Sequence, residues 1–145
     1  MVLVEIIAGS TSDSDIVGAV EKTLESLGVS FQSHVASAHR EPEKVKKIVE
    51  TSDASVFIGV AGLSAALPGA IASHTLRPVI GVPKDVKLGG MDSLLSIVQM
   101  PPKVPVATVG IDNGKNAAYL AAEILGLMDS NIQKRLAEIR GFKQA

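Results

Sequence analysis

Short β-branched apolar runs alternate along this chain with stretches whose apolar residues recur at helical spacing. Val2–Ala8 is the first run and stops at Gly9, which predicts a buried strand. Ile16, Val20, Leu24 and Leu27 then repeat every three or four positions, and Gly28 closes the helix they predict. Val29–Ala36 reads as a second strand. Pro42 suits a first helical turn, where its missing N–H is not needed, and Val45, Ile48 and Val49 line one face of the helix after it. Ser55–Val60 reads as a third strand, followed by a helical segment of small residues near Ala65–Thr75. Pro78–Val82 is a fourth strand with a helix over Met91–Gln99, and Val104–Val109 a fifth with an alanine-rich helix over Asn116–Leu127. Ile132, Leu136 and Ile139 share one face of a last helix that ends at Gly141.

This alternation predicts an α/β fold of three layers, a parallel sheet with helices on both faces, and five strands suggest the flavodoxin-like order. No internal repeat, low-complexity tract or long linker divides the chain, so residues 1–145 are expected to form one domain. The extra C-terminal helix follows another helix directly and adds no strand. It either pads the domain's own surface or reaches onto a neighbouring subunit.

Composition narrows the class. The 145 residues suffice for one buried core. No charged segment followed by an apolar run opens the sequence, and no apolar stretch approaches the roughly 18 residues that cross a bilayer, so neither secretion nor a membrane partner is expected. The absence of cysteine excludes disulfides and thiolate metal sites and makes a cytoplasmic location the expectation. A formal net charge of −1 with no basic run argues against a nucleic-acid partner. Charged residues make up only 20% of the chain, and mean hydropathy is +0.31. So apolar and lightly charged a chain is expected to hide surface in an oligomer.

In sheets of this kind ligands bind beyond the carboxyl ends of the strands, which directs attention to three loops. Gly9-Ser10-Thr11-Ser12-Asp13 combines hydroxyls with the N–H groups of a helix start, a cradle for phosphate. Asp13 would repel phosphate and better accepts hydrogen bonds from sugar hydroxyls; plain helix capping by Ser12 or Asp13 explains the same residues equally well. Ser37-Ala38-His39-Arg40-Glu41-Pro42 offers a permanently charged, planar guanidinium for an anion and an imidazole that can exchange a proton near neutral pH. Ala61-Gly62-Leu63-Ser64-Ala65-Ala66-Leu67-Pro68-Gly69 is uncharged and of little bulk, so backbone can approach a small apolar guest or a planar ring; tight helix–sheet packing is the other reading. His34 and His74 are not spaced as metal ligands with each other or with His39. His34 is expected on the second strand and His74 on a helix surface. Neither a G-x-G-x-x-G after the first strand nor a Walker lysine is present.

Two non-enzymatic uses of the same fold fit poorly. A phospho-receiver needs a carboxylate at the end of the third strand, where Ala61-Gly62 stands. A flavin-mononucleotide-binding module needs aromatic side chains around the flavin, and the one Tyr and three Phe all lie outside the second and third loops.

Taken together, these segments resemble the 5-(carboxyamino)imidazole ribonucleotide mutases and the related aminoimidazole ribonucleotide carboxylases of purine biosynthesis. Ser10-Thr11-Ser12-Asp13 after Gly9 looks like the family's G-S-x-S-D loop, Ser37-Ala38-His39-Arg40 matches its S-A-H-R, and Ala61-Gly62 opens its glycine–alanine loop. Asp92-Ser93 followed by Leu94-Leu95-Ser96-Ile97-Val98-Gln99-Met100-Pro101 resembles its D-S-L-L-S-I-V-Q-M-P signature, which Pro105-Val106-Ala107-Thr108 and Asn116-Ala117 continue. The likeness covers most of the chain, in order and with consistent spacing.

The resemblance implies a cofactor-free enzyme, commonly a homo-octamer with active sites at subunit contacts. It implies an imidazole ribonucleotide and carbon dioxide as small-molecule partners, and transfer of a carboxylate from the exocyclic nitrogen to ring C4. On it, His39 would be the general acid/base. Ser10, Ser12 and Arg40 would hold the phosphate, Asp13 the ribose, Ser37 would help to order its loop, and Ser37 and Ala38 would belong to the substrate-binding set. Ala61, Gly62 and Leu63 would wall a pocket for carbon dioxide. One position departs from the pattern: mutases usually carry histidine where this chain has Ala66, and Ser64-Ala65-Ala66-Leu67 looks more like the branch that carboxylates aminoimidazole ribonucleotide directly. The downstream signature is of the mutase type, and the mutase reading is the one expected.

Overall fold

A computed structural model describes residues 1–143. Strands β1 (Val4–Ala8), β2 (Phe31–Val35), β3 (Val56–Ala61), β4 (Val79–Pro83) and β5 (Ala107–Thr108) form one parallel sheet in the order β2-β1-β3-β4-β5. That is the flavodoxin-like order, with β1 and β3 paired at the centre, Ile6 opposite Ile58.

Alternation along each strand divides the core in two. Val4, Ile6 and Ala8 point to the face covered by α1 (Ser14–Ser26), α5 (Gly114–Gly126) and α6 (Ser130–Arg140). Ile7, Phe57 and Val79 point to the face covered by α2 (Pro42–Thr51), α3 (Leu67–Ala72) and α4 (Met91–Val98). On the first face four fully buried alanines of α5, Ala117, Ala118, Ala121 and Ala122, let that helix lie close to the sheet and to α1. Ile132 and Leu136 of α6 pack into the same cluster, so this helix pads its own subunit, while Ile139 is left exposed. The helix ends at Gly141 in the left-handed region, φ 70°, as a C-terminal glycine allows.

On the second face two glycines set the helix distance. Gly59 and Gly81 are register partners on β3 and β4. A Cβ at Gly81 would lie 2.4 Å from Cγ2 of Ile97 on α4 and 3.3 Å from Pro68 on α3, and one at Gly59 would meet Pro68 and Ile71 at 3.1–3.3 Å. The missing side chains therefore form the floor on which α3 and α4 sit.

Element limits differ from the pattern where backbone donors are lost. The fifth strand, expected over Val104–Val109, shrinks to two residues: Pro105 has no N–H to give a ladder, and Val104 N–H turns back to Pro101 O. The helix expected over Ala65–Thr75 forms only over Leu67–Ala72, because Ser64, at φ 45°, still belongs to the preceding turn. The first two strands are each shorter at the amino end. Glu5 interrupts the apolar run of β1 and is nevertheless buried. Ser52 Oγ donates to its Oε2 at 2.7 Å and His34 Nε2 contacts its Oε1, so a buried carboxylate finds partners on β2 and beyond α2. His74 is exposed in the turn after α3 rather than on a helix. Among the described residues no helix is long and apolar enough to cross a membrane.

Gly81→Ala tests the glycine floor. The added methyl must displace the fully buried Ile97, and overpacking of that kind costs about 1–3 kcal/mol. Urea denaturation is expected to show that loss; an unchanged midpoint would mean that α4 moves away freely.

Candidate active site

The chain leaving β1 turns to α1 on one face, and the chain leaving β3 turns to α3 on the other. Their parting opens a crevice at the carboxyl edge, the place where open parallel sheets bind ligands. The crevice has a volume of about 260 Å³ and is lined by all ten residues singled out from the sequence. Ser10, Ser12 and Asp13 come from the first loop, Ser37, Ala38, His39 and Arg40 from the second, and Ala61, Gly62 and Leu63 from the third.

In the first loop Thr11–Asp13 form a single 3₁₀ turn capped at both ends of one residue. Ser12 N–H donates to Ser10 Oγ at 3.2 Å, and Ser10 N–H donates to Asp13 Oδ2 at 3.1 Å. The Ser12 hydroxyl adds a bond to Ser10 Oγ at 3.0 Å. Capping is therefore realised by Asp13 and by Ser10 rather than Ser12, whose hydroxyl donates to Ser10 instead, yet the capping side chains also face the crevice. An ionised carboxylate has about four acceptor directions, so the Ser10 bond leaves Asp13 capacity for a ligand.

Asp13 is 4% exposed. Burial pushes its carboxyl above the ordinary aspartate value of 3.8, against the opposing pull of Lys84 and of the Ser10 N–H. Lys84, just past β4, places Nζ 3.6 Å from Asp13 Oδ1 and 3.5 Å from Oδ1 of the exposed Asp15, and donates to Ser12 O. The Asp15 carboxyl is lowered, first by the Ile16 N–H and then by Lys84.

The second loop is a turn over Ala38–Arg40 closed by Glu41 N–H on Ser37 O at 2.8 Å. Buried Ser37 orders it, its Oγ accepting from Arg40 N–H at 3.2 Å, with Arg40 Nε at 3.5 Å. His39 and Arg40 are consequently exposed at the mouth, where an imidazole and a guanidinium can both reach a ligand.

The third loop gives the crevice its uncharged wall: Ala61 and Ala65 are buried, and Leu63, Ser64 and Ala66 line it as exposed residues. Val86, from the loop after β4, closes against it so tightly that a Cβ at Gly62 would fall 2.6 Å from Val86 Cγ2. Neither Lys84 nor Val86 was among the residues expected at the site. Carrying the carboxyl-end argument on to the fourth strand, which ends at Pro83-Lys84, would have found both. Among the described residues no cluster of histidine and carboxylate side chains suits a metal ion, and His34 and His74 lie outside the crevice.

Comparison with known proteins finds relatives over nearly the whole chain. The sequence model of the AIR carboxylase family matches residues 3–145. An N5-carboxyaminoimidazole ribonucleotide mutase of Methanocaldococcus jannaschii is 59% identical over 135 residues, 93% of this chain and 86% of that protein. A protein of Methanothermobacter thermautotrophicus named a probable N5-carboxyaminoimidazole ribonucleotide mutase is 52% identical over 143 residues, 96% of this chain; the match spans only 43% of that relative's length. Among solved structures, a variant of Treponema denticola PurE2 matches with a TM-score of 0.88 at 29% identity, over 97% of this chain and 91% of the other.

The raised Asp13 value has a consequence for stability with a definite sign. The folded state holds this proton more tightly than the unfolded chain, so the group favours folding below pH 3.8, and that contribution is lost as pH climbs to the folded value. At neutral pH the buried charge is a net cost. Asp13→Asn is expected to melt at the same temperature as the wild type or higher at pH 7. A loss above about 1 kcal/mol would show that its charge contacts outweigh its burial.

Proposed function

The chain belongs to the AIR carboxylase family, and on that footing we propose that it converts 5-(carboxyamino)imidazole ribonucleotide to 4-carboxy-5-aminoimidazole ribonucleotide, a cytoplasmic step of purine biosynthesis. The observation that carries this reading is the convergence, in one crevice, of a proton-exchanging imidazole, anion- and sugar-binding groups, and a small uncharged wall. Ser10, Ser12 and Arg40 hold the phosphate, the two serines through their hydroxyls and Arg40 through its guanidinium. Asp13 accepts from the ribose hydroxyls. Ser37, through its bond to Arg40 N–H, holds the His39–Arg40 turn against the ring.

In the reaction the bond between the exocyclic nitrogen and the carboxylate carbon breaks, and carbon dioxide is released. Ring C4, electron-rich in the aminoimidazole, attacks that carbon dioxide and forms the new C–C bond. The C4 proton leaves to His39, and the exocyclic nitrogen gains a proton, so the sum is an isomerisation. Ala61, Gly62 and Leu63 keep the gas beside its acceptor, which replaces a bimolecular encounter by an intramolecular one. Among the described residues no Phe, Tyr or Trp lines the crevice to stack on a flavin. Ala66 faces the crevice where the mutase pattern has histidine, which keeps direct carboxylation as a second reading.

Met91, Leu95 and Val98 recur at one face of α4 and are all exposed, continuing from exposed Leu88 and from Val86 at the crevice rim. An apolar ridge of this kind marks a protein interface. A second copy of the chain seated on it would roof the crevice, in keeping with the homo-octamer that the resemblance implies.

Two measurements test the proposal. Purified protein is given either the carboxyamino nucleotide, or aminoimidazole ribonucleotide with bicarbonate, without ATP. Faster initial rates are expected with the former, and the reverse order would make the chain a carboxylase. In the same assay His39→Asn is expected to lose about 10²–10⁴ in kcat while still binding the product, as removal of a general acid/base should; wild-type turnover by this variant would remove His39 from the mechanism.

For the assembly, light scattering is expected to give an oligomer for the wild type and smaller species with reduced kcat/KM for Leu95→Glu. A variant of unchanged mass and activity would show that α4 faces solvent.

A further inference from the structure

Lys84 touches the loops around the crevice without lining it. Its ammonium group donates to the Ser12 carbonyl and lies 3.6 Å from Asp13 Oδ1, and its side chain is only 17% exposed. Its backbone is tied as well: Lys84 N–H donates to Ala61 O at 3.0 Å, and Lys84 O accepts from the Ser93 hydroxyl at 2.7 Å. One residue thus connects the first loop, the third loop and the start of α4. The crevice-lining set includes Val86, two residues on, but not Lys84. Whatever this lysine does for a ligand, it does through the groups it holds.

Those groups are the ones assigned to the nucleotide. Asp13 has one oxygen on Ser10 N–H and the other toward Lys84, so its plane is set from two sides. Ser12 is held through its carbonyl, which fixes the turn that carries the Ser10 and Ser12 hydroxyls assigned to the phosphate. Building on the nucleotide reading above, we propose that Lys84 is a positioning residue for the ribonucleotide: it clamps Ser12 and Asp13 so that the turn meets the phosphate and the carboxylate meets the ribose. Asp15 is the remaining anion within reach, exposed to solvent and outside the crevice, and it balances the lysine's charge without competing for substrate. A group that acts on ground-state and transition-state binding alike changes KM and leaves kcat alone.

A double-mutant cycle on the full chain tests this, with KM and kcat for the carboxyamino nucleotide measured for wild type, Lys84→Met, Asp13→Asn and the pair. Lys84→Met is expected to raise KM about tenfold with kcat within about twofold, and Lys84→Arg to recover most of the loss. In the Asp13→Asn background the same change is expected to raise KM clearly less than in the wild type, because one of the two groups it orders has lost its charge while the Ser12 carbonyl remains. Equal KM effects in both backgrounds, an unchanged KM, or a fall in kcat alone would each overturn the assignment. If Lys84→Met does not fold by circular dichroism, Lys84→Gln, which keeps a donor for the Ser12 carbonyl without the charge, goes through the same cycle. Wild-type turnover reports separately on the nucleotide reading: an inactive wild type overturns both, whereas an active one with an indifferent Lys84 overturns this proposal alone.

Discussion

Parallel pairing is the constraint on which the rest of this molecule depends. It sends every strand in one direction, so the loops that leave the strands gather along a single edge. The order β2-β1-β3-β4-β5 then makes the chain part between β1 and β3, since α1 and α3 lie on opposite faces. A crevice results before any side chain is chosen. Its floor is made by strand ends that are completely buried and hydrogen-bonded on both sides, which is why short loops of small and polar residues can hold their shape above it.

Within that crevice, charge is held at some expense to the fold. Asp13 is buried enough for desolvation to raise its carboxyl, and the groups that oppose this, Lys84 and the Ser10 N–H, are also the ones that orient it. A carboxylate so placed is less hydrated than one at the surface, so a sugar hydroxyl has less water to displace. Glu5 makes the contrast. It is equally buried, but His34 and Ser52 meet its two oxygens from β2 and from beyond α2, far from the crevice lining. Glu5 is therefore satisfied within the core, whereas Asp13 keeps acceptor capacity turned outward.

Much of this was legible in the sequence, and the exceptions share a cause. The β-branched runs and the spacing of Ile16, Val20 and Leu24 located the core elements because burial is periodic along one element. The ten crevice residues were legible because they follow strand ends directly. Lys84 also follows a strand end, but its contact with Ser12 and Asp13, some 70 positions away, was not legible, because it exists only once β4 lies beside β3. The shortness of β5 follows from a local rule, the missing backbone donor of Pro105. The Gly59–Gly81 floor was hidden for the same reason as Lys84, since two isolated glycines acquire meaning only through strand register.

Ala66 shows how one position can bear on chemistry without being a chemical group. Proton transfer at C4 needs an imidazole at the ring, and His39, on the second loop, can serve there. The carboxylate donor needs something different, an uncharged volume in which carbon dioxide is not lost to water. Ser64, at φ 45°, turns the third loop so that Ala65 enters the core while Ala66 faces the crevice, which places a methyl group and not a ring on that wall. The wall is consequently wider than a histidine at this position would leave it. His39 and Ala66 lie on different loops attached to different strands, so one wall could vary while His39, the Asp13 carboxylate and the 3₁₀ turn stayed as they are. Under the proposed function, Ala66 is therefore the position at which a single side chain bears on the carboxylate donor without touching the groups assigned to the nucleotide.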